Sequence, residues 1–401
     1  MAGMVIIGAG HAAGQAAASL RQEKYTGPIT IIGDEAHLPY QRPPLSKAYL
    51  SGSQEVERVY LRAEKFYQEK EIDLKLSTRA TAIDPDAKAV ELEDGSKIDY
   101  DKLLISTGSR PRLLSIPGSD LGGIHYLRTI DDVDGIRADM HEGANLVIVG
   151  GGYIGLEVAA VGIEQGLNVH VLEMEDRILQ RVTTPTMSKY YDELHRGRGV
   201  QIHTNTGVTG FSGDAKVQKV MCGDTEFAAD MVIVGIGIVP NIELAEAAGI
   251  ICDNGIVVDD HCQTSNPDIY AAGDCTNHPN ALLDRRLRLE SVPNAMDQAR
   301  TSASNMLGGD KSYAAIPWFW SDQYELKLQM VGFSADGNRE VLRGDMASNQ
   351  FAVFYLKDNT VVAADTVNSP KEFMLCKQLV GKEADSAVLA DSTSDLKSLL
   401  G

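Results

Sequence analysis

The sequence predicts an α/β protein that contains two copies of one βαβ unit and a smaller α+β domain near the C-terminal end. Three observations indicate this fold class: a glycine-rich turn after a short apolar strand at Gly8, a second such turn at Gly150, and a change of pattern after residue 316. Strand and helix patterns that alternate are typical of parallel sheets covered by helices. The two turns lie 142 positions apart, which favours duplication of a whole domain over a short repeat.

The first unit has a strand over Met4–Ile7, a helix that runs to about Glu23 and a second strand over Ile29–Ile32. Its turn has alanine at the third position of the G-x-G-x-x-G/A pattern, which permits glycine or alanine there. Two acids follow the second strand, where a carboxylate can accept hydrogen bonds from an adenosine ribose. The residues that carry this motif are Gly8, Gly10, Ala13, Asp34 and Glu35.

The second unit repeats this order with strands over Leu146–Val149 and Val169–Leu172 and a helix between them to about Gln165. The first glycine of such a motif allows a tight turn, the second lets a pyrophosphate approach the backbone, and the third packs the helix against the strand. A carboxylate after the second strand binds the ribose 2′-hydroxyl and repels a 2′-phosphate, so NAD is favoured over NADP. The residues of this motif are Gly150, Gly152, Tyr153, Ile154, Gly155 and Glu173.

Each unit is followed by a further buried-type strand that ends on a glycine, at Leu103–Gly108 and at Val232–Gly237. A proline follows each of these strands, as expected where a chain leaves one domain for another. We therefore predict a first domain over 1–110 and 242–315, a second domain over 111–241 and a third, α+β domain over 316–401. Within the third domain we predict antiparallel strands over 329–332, 350–356 and 361–365 and a helix over 370–380, and we expect the last ten residues to be a loose end.

Composition narrows the function classes. The net charge of −19 argues against nucleic-acid binding. The sequence begins without a basic segment ahead of its first apolar run, and its longest apolar stretch is far shorter than the ~20 residues of a membrane helix. We therefore predict a cytoplasmic protein. Five widely spaced cysteines without a C-x-x-C motif fit a reducing compartment: Cys222, Cys252, Cys262, Cys275 and Cys376.

Two nucleotide sites in one chain are explained by a flavin and a nicotinamide, because hydride can pass directly between their stacked rings. A flavoenzyme that reduces disulfides needs a cysteine pair beside the flavin. The segment Tyr40–Lys47, which follows the first unit, contains no sulfur. We therefore expect electrons to leave the flavin directly for an external acceptor.

Longer motifs resemble those of a known family. The chain is similar, over nearly its whole length, to the NADH-dependent ferredoxin reductases of bacterial oxygenase systems, within the FAD-dependent pyridine nucleotide-disulfide reductase superfamily. The motifs that carry the resemblance are Arg42–Lys47 (RPPLSK), Gly150–Glu157 (GGGYIGLE), Ala272–Asp274, Glu290–Ala295 and Trp318–Tyr324.

The resemblance implies a glutathione reductase-like fold with FAD in the first domain and NADH in the second. It implies hydride transfer from NADH to FAD, then release of single electrons to a [2Fe–2S] ferredoxin that supplies a haem-thiolate monooxygenase. We also expect a monomer or weak homodimer, with no nucleic acid, membrane or metal partner. His261, Cys262, Cys275 and His278 are close in sequence, but their spacing matches no metal template, and we expect them to be structural.

The resemblance also assigns roles to single residues. Lys47 and Glu157 are expected beside the flavin and are the candidate catalytic pair. Gly237 is expected to line the nicotinamide pocket, and Trp320 to lie beside the flavin near the ferredoxin surface. The residues that align with FAD contacts of the family are Ala12, Asp34, Lys47, Ala80, Arg128, Asp274 and Val292, and Glu35, Arg42 and Thr107 complete the cofactor-binding set.

Other functions stay open on the sequence alone. The acceptor could be a rubredoxin or the ferredoxin of a ring-hydroxylating dioxygenase, and the chain could instead be an NADH-sensing flavoprotein with slow turnover. An acidic ferredoxin would need a local basic patch on this acidic protein. Candidates for that patch, together with an apolar contact near Trp320, are Arg62, Arg285, Arg286, Arg300 and Lys377.

Overall fold

The computed structural model describes residues 2–400. They form two compact units, each assembled from separate chain segments. Unit 1 comprises 2–42, Glu55–Arg110 and Ile238–Pro317, and unit 2 comprises Pro43–Gln54, Pro111–Gly237 and 318–400. Among these residues no helix is long and apolar enough to cross a membrane.

The strands of the described residues are numbered here in chain order. They are β1 (Gly3–Ile7), β2 (Ile29–Ile32), β3 (Ile72–Lys75), β4 (Ala80–Asp84), β5 (Ala89–Leu92), β6 (Lys97–Ile105), β7 (Ser109–Pro111), β8 (Ile124–Tyr126), β9 (Asn145–Val149), β10 (Asn168–Leu172), β11 (Gln201–His203), β12 (Gly210–Gly213), β13 (Val217–Cys222), β14 (Thr225–Ala228), β15 (Met231–Val234), β16 (Ile238–Pro240), β17 (Ile256–Val257), β18 (Ile269–Ala271), β19 (Thr276–Asn280), β20 (Arg285–Leu287), β21 (Trp318–Gln323), β22 (Leu326–Gly332), β23 (Arg339–Asp345), β24 (Gln350–Lys357) and β25 (Thr360–Val367).

The α-helices are numbered in the same way. They are α1 (His11–Gln22), α2 (Glu64–Glu69), α3 (Ile130–Asp139), α4 (Tyr153–Glu164), α5 (Pro185–Gly197), α6 (Glu243–Ala247), α7 (Val292–Met306), α8 (Pro370–Leu379) and α9 (Ser386–Ala390).

Unit 1 is built on a sheet with the strand order β3-β2-β1-β6-β5-β4, and β18 pairs with β6. The strands around β1 are parallel, whereas β4, β5 and β6 form an antiparallel meander. Helix α1 packs against α7, and it buries a row of alanines that includes Ala16 and Ala17, both 0 % exposed. Because alanine is small, the two helices can approach closely on the same face of the sheet.

Unit 2 repeats this arrangement in a second sheet, with the order β11-β10-β9-β15-β8 and all pairs parallel. In both units a glycine turn follows the central strand, β1 or β9, and a later strand, β6 or β15, lies on the other side of it. This order places each glycine turn at the carboxyl edge of a parallel sheet, where nucleotides bind in folds of this type. The predicted fold class is confirmed.

The rest of unit 2 contains an antiparallel sheet with the order β21-β22-β25-β24-β23. The sequence predicts β22, β24, β25 and helix α8 but not β21 or β23. Because compactness groups 318–400 with 43–54 and 111–237, the division into three domains stays a prediction.

For residues 392–400, the expectation of a loose end is wrong. The Arg343 guanidinium, only 5 % exposed, bonds Glu372 (2.7 Å) and donates to the carbonyl oxygens of Leu389, Asp391, Ser392 and Ser394. Leu396 is buried, and Lys382 donates to the Leu400 carbonyl. The many Ser and Asp residues of this segment suggest disorder, but their backbone carbonyl oxygens accept hydrogen bonds that hold the segment in place.

Candidate functional site

The glycine turn of unit 1 combines one tight and one open position. Gly8 has φ +104°, and a Cβ there would lie 2.2 Å from the Ser106 carbonyl oxygen, so only glycine fits. A Cβ on Gly10 would meet nothing within 4 Å. The first glycine is therefore required by the backbone, and the second leaves open space in front of α1, as a bound pyrophosphate requires.

The N-terminus of α1 faces this open space without a side-chain cap at Gly10. Its first N–H groups are therefore available to an anion, which the helix dipole also favours. Gly273 approaches the same place, since a Cβ on Gly273 would lie 3.7 Å from the Cβ atoms of Ala12 and Ala295. The structure thus brings together the predicted contacts at Ala12, Asp274 and the first turn of α7, which starts at Val292.

The two acids after β2 have different environments. Glu35 accepts hydrogen bonds from the Tyr40 hydroxyl (2.6 Å) and from the Arg42 guanidinium (2.9 Å). Asp34 is exposed and lies 3.3 Å from the Arg79 guanidinium. Glu35 therefore holds Arg42 in place, and Asp34 presents the accessible carboxylate.

The other predicted contacts of unit 1 lie on strands of the same sheet or just after them. The N–H of Thr78 donates to the Gly33 carbonyl, 2.8 Å away, so the buried Ala80 on β4 lies just beyond the acidic turn. Thr107 follows β6 and exchanges two hydrogen bonds with Asn241. The Asp274 carboxylate accepts a hydrogen bond from Ser109 at 2.9 Å. Ser109 is a polar neighbour that the sequence motifs do not single out.

The glycine turn of unit 2 follows the same steric rules. Gly150 has φ +108°, and a Cβ there would lie 2.4 Å from the Gly235 carbonyl oxygen. A Cβ on Gly155 would lie 2.4 Å from the Gly150 carbonyl oxygen, which excludes the alanine that unit 1 accepts as Ala13. Gly152 and Gly237 have open space instead. Helix α4 also starts without a side-chain cap.

Glu173 is fixed at the end of β10 by two backbone N–H groups. One carboxylate oxygen accepts from Gly151 (2.7 Å) and the other from Glu175 (3.0 Å). Its position next to the glycine turn is the one from which a carboxylate meets a ribose. The structure therefore brings Glu173 to the second motif, as the sequence predicts.

Three further predicted residues of unit 2 lie near the starts of helices. The Tyr153 hydroxyl lies 2.9 Å from the Met330 sulfur, and its ring packs edge-on against Phe319. Burial raises the pKa of Tyr153 well above its ordinary value. Ile154 is 49 % exposed. Arg128 immediately precedes the capped start of α3, away from the glycine turn in sequence.

The predicted catalytic pair forms a buried cluster within unit 2. Glu157, on α4, is 4 % exposed. One of its carboxylate oxygens accepts from the Lys47 ammonium and the Ser46 hydroxyl, both at 2.5 Å, and the other accepts from Ser321 at 2.6 Å. Three donors offset the cost of burying the carboxylate. Sequence reasoning missed both serines, although Ser46 is adjacent to Lys47 in the motif.

Trp320 lies on β21, half-buried, with its ring 5.9 Å from that of Trp318. The Lys377 ammonium lies 4.4 Å from the centre of the Trp318 ring, a cation–π contact. Trp320 and Lys377 are the part of the predicted docking patch that belongs to unit 2.

The arginines proposed for the patch belong to unit 1, and two of them have firm partners. Arg286 donates to Asn277 and to the Val258 carbonyl, and Arg300 pairs with Asp297 at 2.6 Å. Their guanidinium groups are therefore already engaged.

The four residues that match no metal template have separate environments. Burial raises the pKa of the Cys262 and Cys275 thiols. His261 contacts the carboxylates of Asp260 and Asp310, each at 2.8 Å. His278 is fully buried beside Tyr313.

Comparison with known proteins places this geometry in a family. Residues 3–299 match the model of the pyridine nucleotide-disulphide oxidoreductase family, and residues 318–400 match that of the reductase C-terminal domain. Members of this family use FAD and NAD(H).

Similar proteins are known over the whole length of the chain. Putidaredoxin reductase CamA of Pseudomonas putida is 45 % identical over 99 % of this chain and 96 % of its own length. The ferredoxin–NAD(+) reductase component of the anthranilate 1,2-dioxygenase system of Burkholderia cepacia is 42 % identical over 99 % of this chain and 98 % of its own. The crystal structure of the covalent putidaredoxin reductase–putidaredoxin complex matches with a TM-score of 0.96 and 44 % identity, over 100 % of this chain and 98 % of that one. The chain therefore belongs to the pyridine nucleotide-disulphide oxidoreductase family, in the group with a reductase C-terminal domain.

Proposed function

We propose that this protein is an NADH-dependent ferredoxin reductase that binds FAD in unit 1 and NADH in unit 2. The observation that carries the proposal is the pair of glycine turns, each with open space at its second glycine in front of an uncapped helix. Bound FAD supplies the chemistry, because a flavin accepts hydride from NADH and releases electrons one at a time.

In unit 1 the chain binds and orients the cofactor. The N–H groups at the start of α1 hold the pyrophosphate. Asp34 accepts hydrogen bonds from the adenosine ribose, because its carboxylate is accessible whereas that of Glu35 holds Arg42 and Tyr40. Asp274, oriented by Ser109, accepts from the ribityl chain.

In unit 2 the N-terminus of α4 holds the pyrophosphate of NADH, and Glu173 holds its adenosine ribose. Two backbone N–H groups fix the Glu173 carboxylate before the nucleotide arrives. Its negative charge would repel the 2′-phosphate of NADPH.

In this proposal Lys47 supplies a positive charge for the reduced flavin, and Glu157 holds Lys47 in position. The carboxylate of Glu157 keeps the ammonium of Lys47 in one position through a 2.5 Å contact. The fixed positive charge of Lys47 would stabilise the negative charge that the flavin acquires on two-electron reduction.

The acceptor in this proposal is a [2Fe–2S] ferredoxin that supplies a haem-thiolate monooxygenase. Support comes from the 45 % identity to putidaredoxin reductase over nearly the whole chain. The 42 % identity to a dioxygenase component keeps the ferredoxin of a ring-hydroxylating dioxygenase as the second candidate. Within unit 2, docking would use Trp320 and Lys377. We further propose a cytoplasmic location and a monomer or weak homodimer.

The test is NADH-driven reduction of cytochrome c by the FAD-loaded protein, with and without a ferredoxin of each class. We expect turnover that depends on ferredoxin and is faster with the ferredoxin of the monooxygenase class. The flavin spectrum, followed by stopped flow, separates this function from NADH sensing. Slow bleaching by NADH without ferredoxin-dependent turnover would contradict the proposal.

The cofactor preference is tested by replacing NADH with NADPH. We expect the natural protein to be reduced much faster by NADH, and Glu173→Ala to narrow that ratio. Glu175→Ala, a neighbouring carboxylate on the same loop, is the matched control. Equal rates with NADH and NADPH in the natural protein would refute the role of Glu173.

A further inference from the structure

A continuous chain of buried hydrogen bonds leads away from the Glu157 carboxylate within unit 2. Ser321 contacts Glu157 at 2.6 Å, the Gln323 amide contacts Ser321 at 3.1 Å, and Gln323 contacts His195 at 2.8 Å. Tyr324 closes the chain at 3.2 Å from the second ring nitrogen of His195. Ser321, Gln323 and His195 are at most 1 % exposed. Nothing in the proposed function uses these residues beyond Glu157.

The donors and acceptors of this chain can be arranged in only one direction. Glu157 accepts from Ser321, so the single hydroxyl proton of Ser321 is used there and Ser321 must accept from the nitrogen of Gln323. The oxygen of Gln323 then accepts from Nε2–H of His195, whose Nδ1 accepts from the Tyr324 hydroxyl. Every donor therefore points toward Glu157.

The protonation state of His195 agrees with this direction. Burial lowers the pKa of His195 to about 4, although Gln323 and the nearby Asp192 oppose the shift. The ring is therefore neutral at physiological pH, with one proton to donate and one nitrogen to accept. Among the described residues the side chains that hydrogen-bond the ring are Gln323 and Tyr324, and the Arg198 guanidinium lies over the Tyr324 ring.

We propose that Gln323 and His195 are positioning residues for the Lys47–Glu157 pair. They fix the direction of the chain, so that Ser321 donates to Glu157 and the carboxylate keeps the geometry in which it holds Lys47. The proposal rests on the proposed function only for the consequence in NADH-dependent reduction, since the direction of the chain is a property of unit 2 itself.

Two substitutions at position 323 separate direction from packing. In Gln323→Glu a side chain of the same shape can only accept, so the Ser321 hydroxyl turns toward it and Glu157 loses a donor. In Gln323→Met a side chain of similar length neither donates nor accepts, so Ser321 can still donate to Glu157. Gln350→Glu, an exposed glutamine on the same sheet, is the matched control for added charge.

The first measurement is the nitrogen-15 spectrum of the histidine rings in the FAD-loaded protein, with the His195 signal identified by its loss in His195→Phe. We expect the natural protein to show the neutral Nε2–H form of His195 from pH 8 down to pH 5. In Gln323→Glu the new carboxylate should make His195 doubly protonated at pH 6. An Nδ1–H form in the natural protein, or titration near pH 6.5, would overturn the proposal.

The second measurement is the rate of flavin reduction at saturating NADH. Ser321→Ala and Gln323→Glu should each lower this rate about tenfold, since each removes one hydrogen bond to a buried carboxylate, while the KM for NADH changes little. The double variant should be no slower than the slower single variant, because both substitutions break the same contact. Gln323→Met should lower the rate less than Gln323→Glu does, because Ser321 can still donate to Glu157, and Gln350→Glu should stay within about threefold of the natural rate.

The outcomes distinguish the two proposals. If NADH does not reduce the natural protein, the proposed function fails, and the histidine spectrum still decides the direction of the chain. If NADH reduces it but Gln323→Met is as slow as Gln323→Glu, or the two single effects multiply, position 323 acts by packing alone and the positioning role is refuted.

Discussion

The buried ring of His278 makes a sharp prediction about stability. It lies on β19, is 0 % exposed and packs edge-on against Tyr313 with ring centres 5.0 Å apart. Within the described residues neither ring nitrogen has a hydrogen-bond partner. Burial, with a smaller effect of Arg286, lowers its pKa to about 4. Replacing His278 with phenylalanine keeps the shape of the ring and removes both nitrogens.

The size of the effect follows from proton linkage. An unfolded histidine titrates near pH 6.5, so above that pH the ring is neutral in both states and costs no stability through protonation. As the pH falls from 6.5 toward 4, His278 binds a proton in the unfolded chain but stays neutral in the folded protein. The free energy of unfolding therefore decreases. At pH 5 this loss is about 2 kcal/mol for a folded pKa of about 4. His278→Phe should abolish it.

The assay is the midpoint of thermal unfolding of the natural and variant proteins at pH 7.5 and pH 5. We expect the natural protein to lose roughly 4–8 °C more than the variant between the two pH values, for a unit of this size. At pH 7.5 the variant should be as stable or slightly more stable, because no hydrogen bond is lost. His141→Phe, at an exposed position, is the control. Equal losses in both proteins would refute the reasoning.

Three further predictions test the fold and the first nucleotide site. Burial raises the pKa of Asp365 to about 6, so the free energy of unfolding of the natural protein should fall by about 2 kcal/mol as pH rises from 4 to 6; Asp365→Asn should remove that slope in urea unfolding, and an unchanged slope would contradict it. Arg343→Met should lower the free energy of unfolding by about 3–5 kcal/mol, since it leaves buried groups unpaired. It should also speed amide exchange over 389–394, and unchanged exchange would show that Arg343 does not hold this segment. Gly10→Ala should keep native circular dichroism but lose FAD absorbance, whereas Gly8→Ala should misfold; full FAD content in Gly10→Ala would contradict the open-space argument.

The sequence predicts the two βαβ units well because their signals are local. An apolar run, a glycine turn and a helix pattern occupy about thirty consecutive residues, and the predicted strand Ile29–Ile32 is the observed one. Strands that depend on distant partners are missed. The meander β12-β13-β14 and the edge strands β21 and β23 acquire their pairing from the sheet around them.

The candidate site shows the same limit. The family resemblance indicates Lys47 and Glu157, but their contact joins residues 110 positions apart. The serines that complete the cluster, and the His195 contact 128 positions from Gln323, have no signature in the sequence. The different environments of Asp34 and Glu35 depend on Arg42 and Tyr40, which no spacing rule identifies.

The Arg343 guanidinium and the four carbonyl oxygens that it contacts, those of Leu389, Asp391, Ser392 and Ser394, form a clamp. This clamp has a practical consequence for joining this protein to an electron acceptor in one polypeptide. The residues just before the clamp, 381–387, are all small or charged, and a fusion design could replace everything after them. Doing so would strip four carbonyl oxygens from a buried guanidinium. A flexible linker should therefore start beyond Leu400 and consist only of added residues, so that the native segment keeps its contacts with Arg343.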